Sequence, residues 1–564
     1  MSTQPDTSSA QTMTAAVLIV RQLETQGIDH LFCVPGESFL AVLDALVDSP
    51  IKVTVCRNEA GAAMMAEAHG KLTGRPAACF VTRGPGATNA AHGVHIAHHD
   101  STPMLICIGQ VARHVRGRGA FQELDYRSVF GSMTKWVTEV EDADRIREIL
   151  SRAFHLSLSG RPGPVVISLP EDMLRDPVSA VPSPRVEPVP AYPGAEQLHE
   201  LETRMAQAER PIAILGGARW TAEAVSGFAQ WAKGWSLPVA VSFRRQMLFP
   251  ADHPCFIGDL GLGANPRLAA HVRDADLVLL VGGRLPEVPS QNYTLLDVPV
   301  PRQEFVHIYP DPAELGRVYR PDLAILADPV HFAAALVPQA DPQPRASLAK
   351  AREDYLAWSD PRQVTNAGKL QMPQIIRWLG ENLPPDAILC NGAGNYATWL
   401  HRFFPFRLFG TQLAPTSGSM GYGVPAAVAA KRIFPERTVV ALAGDGCFLM
   451  NGQEFATAVQ YDLPIIVILI DNGMYGTIRM HQEREHPGRV IATSLRNPDF
   501  AAYARSFGGH GERVETTGQF APAFQRARES GLPAIIHCLL DPEAITADAT
   551  LSQIRENALA RHRS

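Results

Sequence analysis

Two short segments near the C-terminal end carry oxygen ligands suited to a hard cation. The apolar run 439–443 stops at Gly444-Asp445-Gly446, and about 25 residues later the run 465–470 stops at Asp471-Asn472-Gly473. Each is a strand feeding a tight turn, where glycines let backbone approach a ligand and a carboxylate or amide presents its oxygen. The stretch between them, 453–461, has helical composition, so the whole reads as a strand-helix-strand crossover. In a parallel sheet both tips then lie at one carboxyl edge, where Asp445 and Asn472 would share an ion of Mg2+ type beside a phosphate.

These tips need a sheet, and the rest of the chain supplies the pattern for three. Apolar runs at 30–34, 52–56, 77–82, 104–108 and 164–169 alternate with helical stretches, and several end in turn residues: Pro35-Gly36, Glu59 and Gly84-Pro85-Gly86. A second series follows at 211–215, 238–242, 277–281, 304–309 and 323–327, and a third at 387–390, 438–443, 465–470 and 534–540. Repeated βα units of this kind predict an α/β protein of three consecutive doubly wound parallel-sheet domains, over 12–175, 195–337 and 365–545. The segments 176–194, with Pro at 177, 182, 184, 188, 190 and 193, and 338–364 are expected as linkers. The middle domain has a Rossmann-like look from Gly216-Gly217 and Gly282-Gly283, yet no G-x-G-x-x-G opens a helix, so no dinucleotide is assigned.

Composition sets the outer limits. With 564 residues, 46% hydrophobic and 19% charged, the chain is long enough for several ordinary cores. A net charge of −6 without a Lys/Arg cluster gives no electrostatic case for nucleic acid or an anionic membrane, and a small molecule is the default partner. The eight cysteines are scattered without a C-x-x-C, as buried thiols in a reducing compartment would be. Residues 1–12 lack the pattern of a signal peptide and no run approaches about 18 apolar residues, so a cytoplasmic protein is expected.

Order and spacing together resemble the thiamine diphosphate enzymes of the acetolactate synthase, pyruvate decarboxylase and benzaldehyde lyase type, over nearly the whole chain. The resemblance implies a first domain that binds the pyrimidine of the cofactor, a last domain that binds its diphosphate, and a site completed between subunits of a homodimer or homotetramer. It assigns Mg2+ to Asp445, Asn472 and the Met474 carbonyl. Backbone donors to the diphosphate would come from Gly444, Gly446 and Cys447 and from Gly394-Asn395 in NGAGNYATW. In PTSGSMGYGVPAA, Gly418 and Met420 would grip the pyrimidine, and the Met420 side chain would wedge the cofactor into its bent shape.

Glu59 in RNEAGAAMMAEAHGKLTG is similar to the family's HEGGA segment. There a carboxyl group bonded to the pyrimidine nitrogen favours the imino tautomer of the neighbouring amine, which takes the proton from the thiazolium carbon. Gln122 in AFQEL matches the family's FQE motif, where an amide faces substrate and cofactor. Gly36, Phe121, Lys135, Tyr475, Ile478 and the run HQER at 481–484 are further pocket candidates.

Two of the family's features are not carried over. His98-His99 stand where acetolactate synthases are apolar, so they are read as a structural pair rather than as acids. The flavin-binding members show an RFDDR-like run where this chain has Arg284-Leu285-Pro286-Glu287-Val288, which makes FAD doubtful. The resemblance thus implies a carboligase or decarboxylase of 2-oxo acids such as pyruvate. Its alternatives are a lyase of 2-hydroxy ketones (acyloins) or 2-hydroxyacyl-CoA, and a cofactor-binding homologue without catalysis.

Overall fold

The computed structural model describes residues 12–338 and 344–563; the first eleven residues and 339–343, part of the expected second linker, lie outside it. The chain divides into two compact units, Met1–Val189 and Pro190–Ser564. The first holds β1 (Thr12–Thr14), β2 (His30–Cys33), β3 (Lys52–Val55), β4 (Ala78–Val81), β5 (Met104–Gln110), β6 (Trp136–Glu139), β7 (Pro164–Pro170) and β8 (Pro177–Ser179). Six of them form one parallel sheet in the order β3-β2-β4-β5-β7-β6. β1 and β8 pair antiparallel, so the expected linker 176–194 begins as a strand that ties down the start of the described chain.

The second unit carries two further parallel sheets. One contains β9 (Pro211–Leu215), β10 (Val239–Ser242), β11 (Phe256–Leu260), β12 (Leu277–Val281), β13 (Glu304–Tyr309) and β14 (Leu323–Leu326), ordered β11-β10-β9-β12-β13-β14. The other contains β15 (Ile388–Asn391), β16 (Gln412–Leu413), β17 (Val439–Gly444), β18 (Ile466–Asp471), β19 (His510–Val514) and β20 (Ala534–Leu539), ordered β16-β15-β17-β18-β20-β19. Three parallel six-stranded sheets are therefore present, as the repeated βα pattern predicts.

Central strands are continuous apolar runs because helices cover both faces of such sheets; Leu277–Val281 and Met104–Gln110 are buried at every position. The four parallel-sheet strands that the pattern missed, β6, β11, β16 and β19, are all edges. An edge has one neighbour and tolerates polar residues, so HGERV and FIGDL lack the signal.

Two other readings are corrected. The expected linker 338–364 carries a helix, Ala346–Trp358, which packs on β11 and on the helix Pro266–Asp274. The crossover helix starts at once, as Asp445–Asn451 followed by Gly452–Glu454 and Phe455–Gln460, and not at 453. The middle-domain glycines have a packing reason: a Cβ on Gly217, whose φ is +71°, would stand 1.6 Å from the Gly282 carbonyl oxygen.

In the first unit, the helix Glu59–Thr73 is capped by Asn58, whose side chain accepts from Ala60 N–H at 2.8 Å, and ends at Gly74 with φ +69°. Its small residues let the helix Pro85–Asp100 come close: a Cβ on Gly93 would meet that of Ala63 at 2.5 Å. All eight cysteines are buried, and no helix among the described residues is long and apolar enough to cross a membrane.

Candidate functional site

β17 and β18 are neighbours in register, with Gly444 opposite Ile470, so their C-terminal tips stand side by side. They open on a cavity of about 240 Å³. Its walls include Gly394, Asn395, Gly418, Met420, Gly444, Asp445, Gly446, Cys447, Asn472, Met474 and Tyr475, the eleven cofactor and metal residues expected from the last domain, whereas the further candidates at 481–484 do not line it, and Glu483 there is paired with Arg479 and Arg555. Ile478 lines it too, and Ile470, Leu540 and Ile545 give it apolar sides.

Backbone comes close to this cavity only because glycines permit it. A Cβ on Gly446 would lie 2.6 Å from Cε1 of Tyr475, and one on Gly444 would lie 3.0 Å from Cδ1 of Tyr396. Gly418 and Gly394 adopt φ of +69° and +144°. Cys447 Sγ accepts from the Gly421 N–H at 3.2 Å and lies 3.2 Å from the Tyr396 hydroxyl, which fixes the glycine loop onto the helix start. Asn395 is committed to the scaffold: its N–H donates to Thr477 Oγ1 at 3.1 Å and its amide to the Ile545 carbonyl at 3.1 Å.

The acidic centre is a pair. Asp445 is 3% exposed, and Asn497 Nδ2 donates to its Oδ2 at 2.7 Å and to Asp471 Oδ1 at 2.8 Å. Burial, with the Asp471 carboxylate beside it, pushes the Asp445 carboxyl up to about 6. Asp471 is held below its ordinary value in spite of its burial, because His537 Nε2 at 2.9 Å, Asn497 and the Gly473 N–H favour its charged form. Beyond Asp471, the loop is fixed by pairing with 493–495. Met474 bridges Ser494, Tyr475 N–H donates to the Thr493 carbonyl at 2.8 Å, and Leu495 N–H to the Gly473 carbonyl at 2.8 Å.

In the first unit a second cluster forms at the carboxyl ends of β2, β3 and β4. Glu59 is the first residue of its helix; Asn89 Nδ2 donates to its Oε2 at 2.9 Å, and a Cβ on Gly86 would stand 3.1 Å from its Oε1. Gln122, in a turn with φ +62°, packs on Gly84, where a Cβ would meet its carbonyl oxygen at 2.8 Å. Gly36 packs on Thr82 in the same way, at 2.5 Å. Gly36, Glu59 and Gln122 are thus on one sheet edge.

Family models for the thiamine pyrophosphate enzymes match the middle sheet and most of the other two: the N-terminal TPP binding domain over residues 13–129, the central domain over 198–336 and the C-terminal TPP binding domain over 392–538. The chain belongs to the thiamine pyrophosphate enzymes. Within them it is 32% identical to the acetolactate synthase large subunit of Corynebacterium glutamicum, over 95% of this chain and 88% of that protein. It is 30% identical to the acetolactate synthase isozyme 2 large subunit of Escherichia coli, over 94% and 96%. A probable acetolactate synthase large subunit of Methanocaldococcus jannaschii is 28% identical over 94% and 92%.

The residues of this thiamine pyrophosphate enzyme fit the cofactor that its family binds. A carboxylate pair braced by an amide, next to Asn472 and a backbone carbonyl, is an all-oxygen donor set for a hard divalent ion, and the glycine-lined walls leave room for a diphosphate.

Some residues fall outside. Lys135 donates its ammonium group to the carbonyls of Ser159 and Arg161 at 2.6 and 2.8 Å, a structural latch, and Phe121 is 74% exposed. The His98 and His99 rings lie 5.8 Å apart, and His99 packs on His95 at 4.4 Å. Missed were the coupling of Asp471 to Asp445, and Asn497. Asn497 sits in a polar loop 25 residues beyond Asn472 with nothing in its surroundings to mark it.

Proposed function

We propose that the chain is a thiamine diphosphate- and Mg2+-dependent carboligase of acetolactate synthase type, which decarboxylates a 2-oxo acid such as pyruvate and joins the remaining unit to a second carbonyl compound. The observation that carries this reading is the meeting of Gly444-Asp445-Gly446 and Asn472 to Tyr475 around one cavity. Similarity to acetolactate synthases over about nineteen-twentieths of the chain supports it. The working form is a cytoplasmic homodimer or homotetramer, and FAD has no part in the proposal.

Asp445, Asn472 and the Met474 carbonyl hold the ion, and Gly394, Asn395, Gly444, Gly446 and Cys447 line the path of the diphosphate. Gly418 and Met420 position the pyrimidine, and Tyr475 closes the wall over Gly446. When bound, thiamine diphosphate supplies an acidic ring carbon and an electron sink. Glu59, steadied by Asn89, would hold the proton that the cofactor's activation needs at its carboxyl group, and the Gln122 amide would donate to oxygen on the substrate. Ile470, Leu540 and Ile545 keep the cavity dry, which strengthens each of these polar contacts.

The test is a panel of 2-oxo acids, acyloins and 2-hydroxyacyl-CoA, assayed for CO2 and for carbon–carbon bond products, with Glu59→Gln alongside. Acetolactate from pyruvate, lost in the variant, is the expected result. Wild-type rates in Glu59→Gln would remove the mechanism, and turnover of acyloins alone would reassign the chain as a lyase.

A further inference from the structure

At the other end of β2 from Gly36, three side chains converge that the proposed chemistry does not use. Asp29 precedes the strand, His30 opens it, and His69 reaches them from the helix Glu59–Thr73. Asp29 Oδ1 lies 3.0 Å from His30 Nδ1 and 3.2 Å from His69 Nε2, and one ligand atom from each of the three lies within 4.8 Å of the others. His30 is 3% exposed, and neither of its ring nitrogens makes a hydrogen bond, so Nδ1 faces the carboxylate at short range without the alignment of one. The Asp29 side chain is 66% exposed, which leaves the cluster a route to solvent.

The Thr73 hydroxyl bears on the protonation of His69. Thr73 Oγ1 has one hydrogen and faces the His69 carbonyl at 2.8 Å and the Arg75 carbonyl at 3.1 Å. Toward His69 Nδ1, 3.3 Å away, the hydroxyl can accept from a ring that carries its hydrogen on Nδ1 or donate to one that carries it on Nε2. In the tautomer with the hydrogen on Nδ1, Nε2 presents a lone pair to the Asp29 carboxylate oxygen 3.2 Å away. Two facing lone pairs require a cation between them, either a proton or a metal ion.

A proton serves only the line from His69 to Asp29 and leaves both nitrogens of His30 without a partner. A metal ion serves all three ligands at once. For an ion about 2.0–2.1 Å from each ligand, atoms 3.0 and 3.2 Å apart subtend on the order of 95–105°, between octahedral and tetrahedral values. Such an ion also sits off the line from Nδ1 to Oδ1, in keeping with the absence of a straight hydrogen bond there.

We propose that Asp29, His30 and His69 bind one divalent transition-metal ion of zinc type, with water from the exposed side of Asp29 completing its shell. Two imidazoles and a carboxylate favour such an ion over Mg2+, which separates this site from the all-oxygen cleft around Asp445. The Thr73 hydroxyl orients one ring, as outer-shell partners of metal-bound histidines do. The bound ion would clasp the start of β2 to the helix that begins at Glu59.

The experiment uses the full chain, stripped with a chelator, dialysed and kept in saturating Mg2+. Zinc is titrated against a chromogenic chelator at neutral pH for the wild type, Asp29→Asn, His69→Gln and Asp445→Asn, and melting temperatures are recorded with and without zinc. The expected result is one tight zinc per chain, weakened tenfold or more in Asp29→Asn and His69→Gln and kept in Asp445→Asn. Zinc should raise the melting temperature of the wild type and leave that of Asp29→Asn unmoved. Because Asp29 is largely exposed, equal melting of Asp29→Asn and wild type in chelator shows that the variant folds. Zinc binding that is absent from the wild type, or unchanged in a folded Asp29→Asn, overturns the proposal.

Discussion

Asp445 and Asp471 stand at the ends of neighbouring strands and are held by one amide, with Asn497 Nδ2 2.7 Å from the first and 2.8 Å from the second. A buried carboxylate and a half-buried one this close repel each other, and the amide hydrogens offset part of that repulsion until an ion arrives. In Asn497→Ala the brace is lost while every proposed ligand stays. The affinity for Mg2+ in the presence of thiamine diphosphate should drop about tenfold. The cofactor-free protein should lose about 1–3 kcal/mol. Calorimetric titration and chemical denaturation read the two effects, and an unchanged Mg2+ affinity would remove Asn497 from the site.

The pair also predicts a pH dependence. The Asp445 carboxyl is raised to about 6 in the folded chain, so the folded state binds more protons than the unfolded state between about 4 and about 6. Stability of the cofactor-free protein should therefore fall as pH rises through that window. Mg2+ affinity should rise over the same range as the proton leaves. Asp471 runs the other way: its lowered value contributes stability that is lost only at more acid pH. Asp445→Asn has no proton to lose at this position. Its melting temperature relative to the wild type should climb across the window and then level off, while its Mg2+ binding is abolished. Parallel melting curves at all pH values would contradict the assignment.

How much of this was legible in the chain follows from where each residue sits. The last-domain cavity could be read because its residues stand at the ends of buried strands, where an apolar run stopping at Gly-Asp-Gly or Asp-Asn-Gly is a strong local signal. Asn497 could not, because its role arises from a loop that folds back along Gly473 to Tyr475 and pairs with it at Met474. Edge strands escaped for a related reason: with one face or one side open to water, β6 and β19 have no continuous apolar run to read. Helix boundaries were displaced where the chain turns directly into helix at Asp445, since that first turn is made of site residues and its composition reports the ligand rather than the helix. The role of Asn395 also depends on tertiary structure, because Thr477 and Ile545, which take up its donors, are distant in sequence.

Gly446 and Tyr475 give a steric prediction. A methyl group at position 446 would stand 2.6 Å from the Tyr475 ring, closer than real contacts allow, so the ring must swing across the cavity wall. Gly446→Ala should raise the KM for thiamine diphosphate about tenfold or more with little change in melting temperature, because the strain falls on the cavity wall rather than the core. Gly446→Ala combined with Tyr475→Ala should recover part of the lost affinity. If the double variant is worse than the sum of the two single ones, the loss lies in the backbone and not in the ring.

Glu59 and Asn89 supply the last prediction. The Asn89 amide donates to Glu59 Oε2 at 2.9 Å, while a Cβ on Gly86 would stand 3.1 Å from Oε1, so one carboxylate oxygen is tethered and the other packs against the backbone of a glycine. Asn89 is then a positioning residue that acts through Glu59. Glu59→Gln, which removes the proton relay, should lower kcat by about 10²–10⁴. Asn89→Ala, which only loosens it, should lower kcat about tenfold and leave the KM for thiamine diphosphate near the wild-type value. Because both substitutions act on one proton transfer, the double variant should be no slower than Glu59→Gln alone. A further tenfold loss in the double variant would show that Asn89 works independently of Glu59 and would end its assignment as the residue that holds the carboxylate in place.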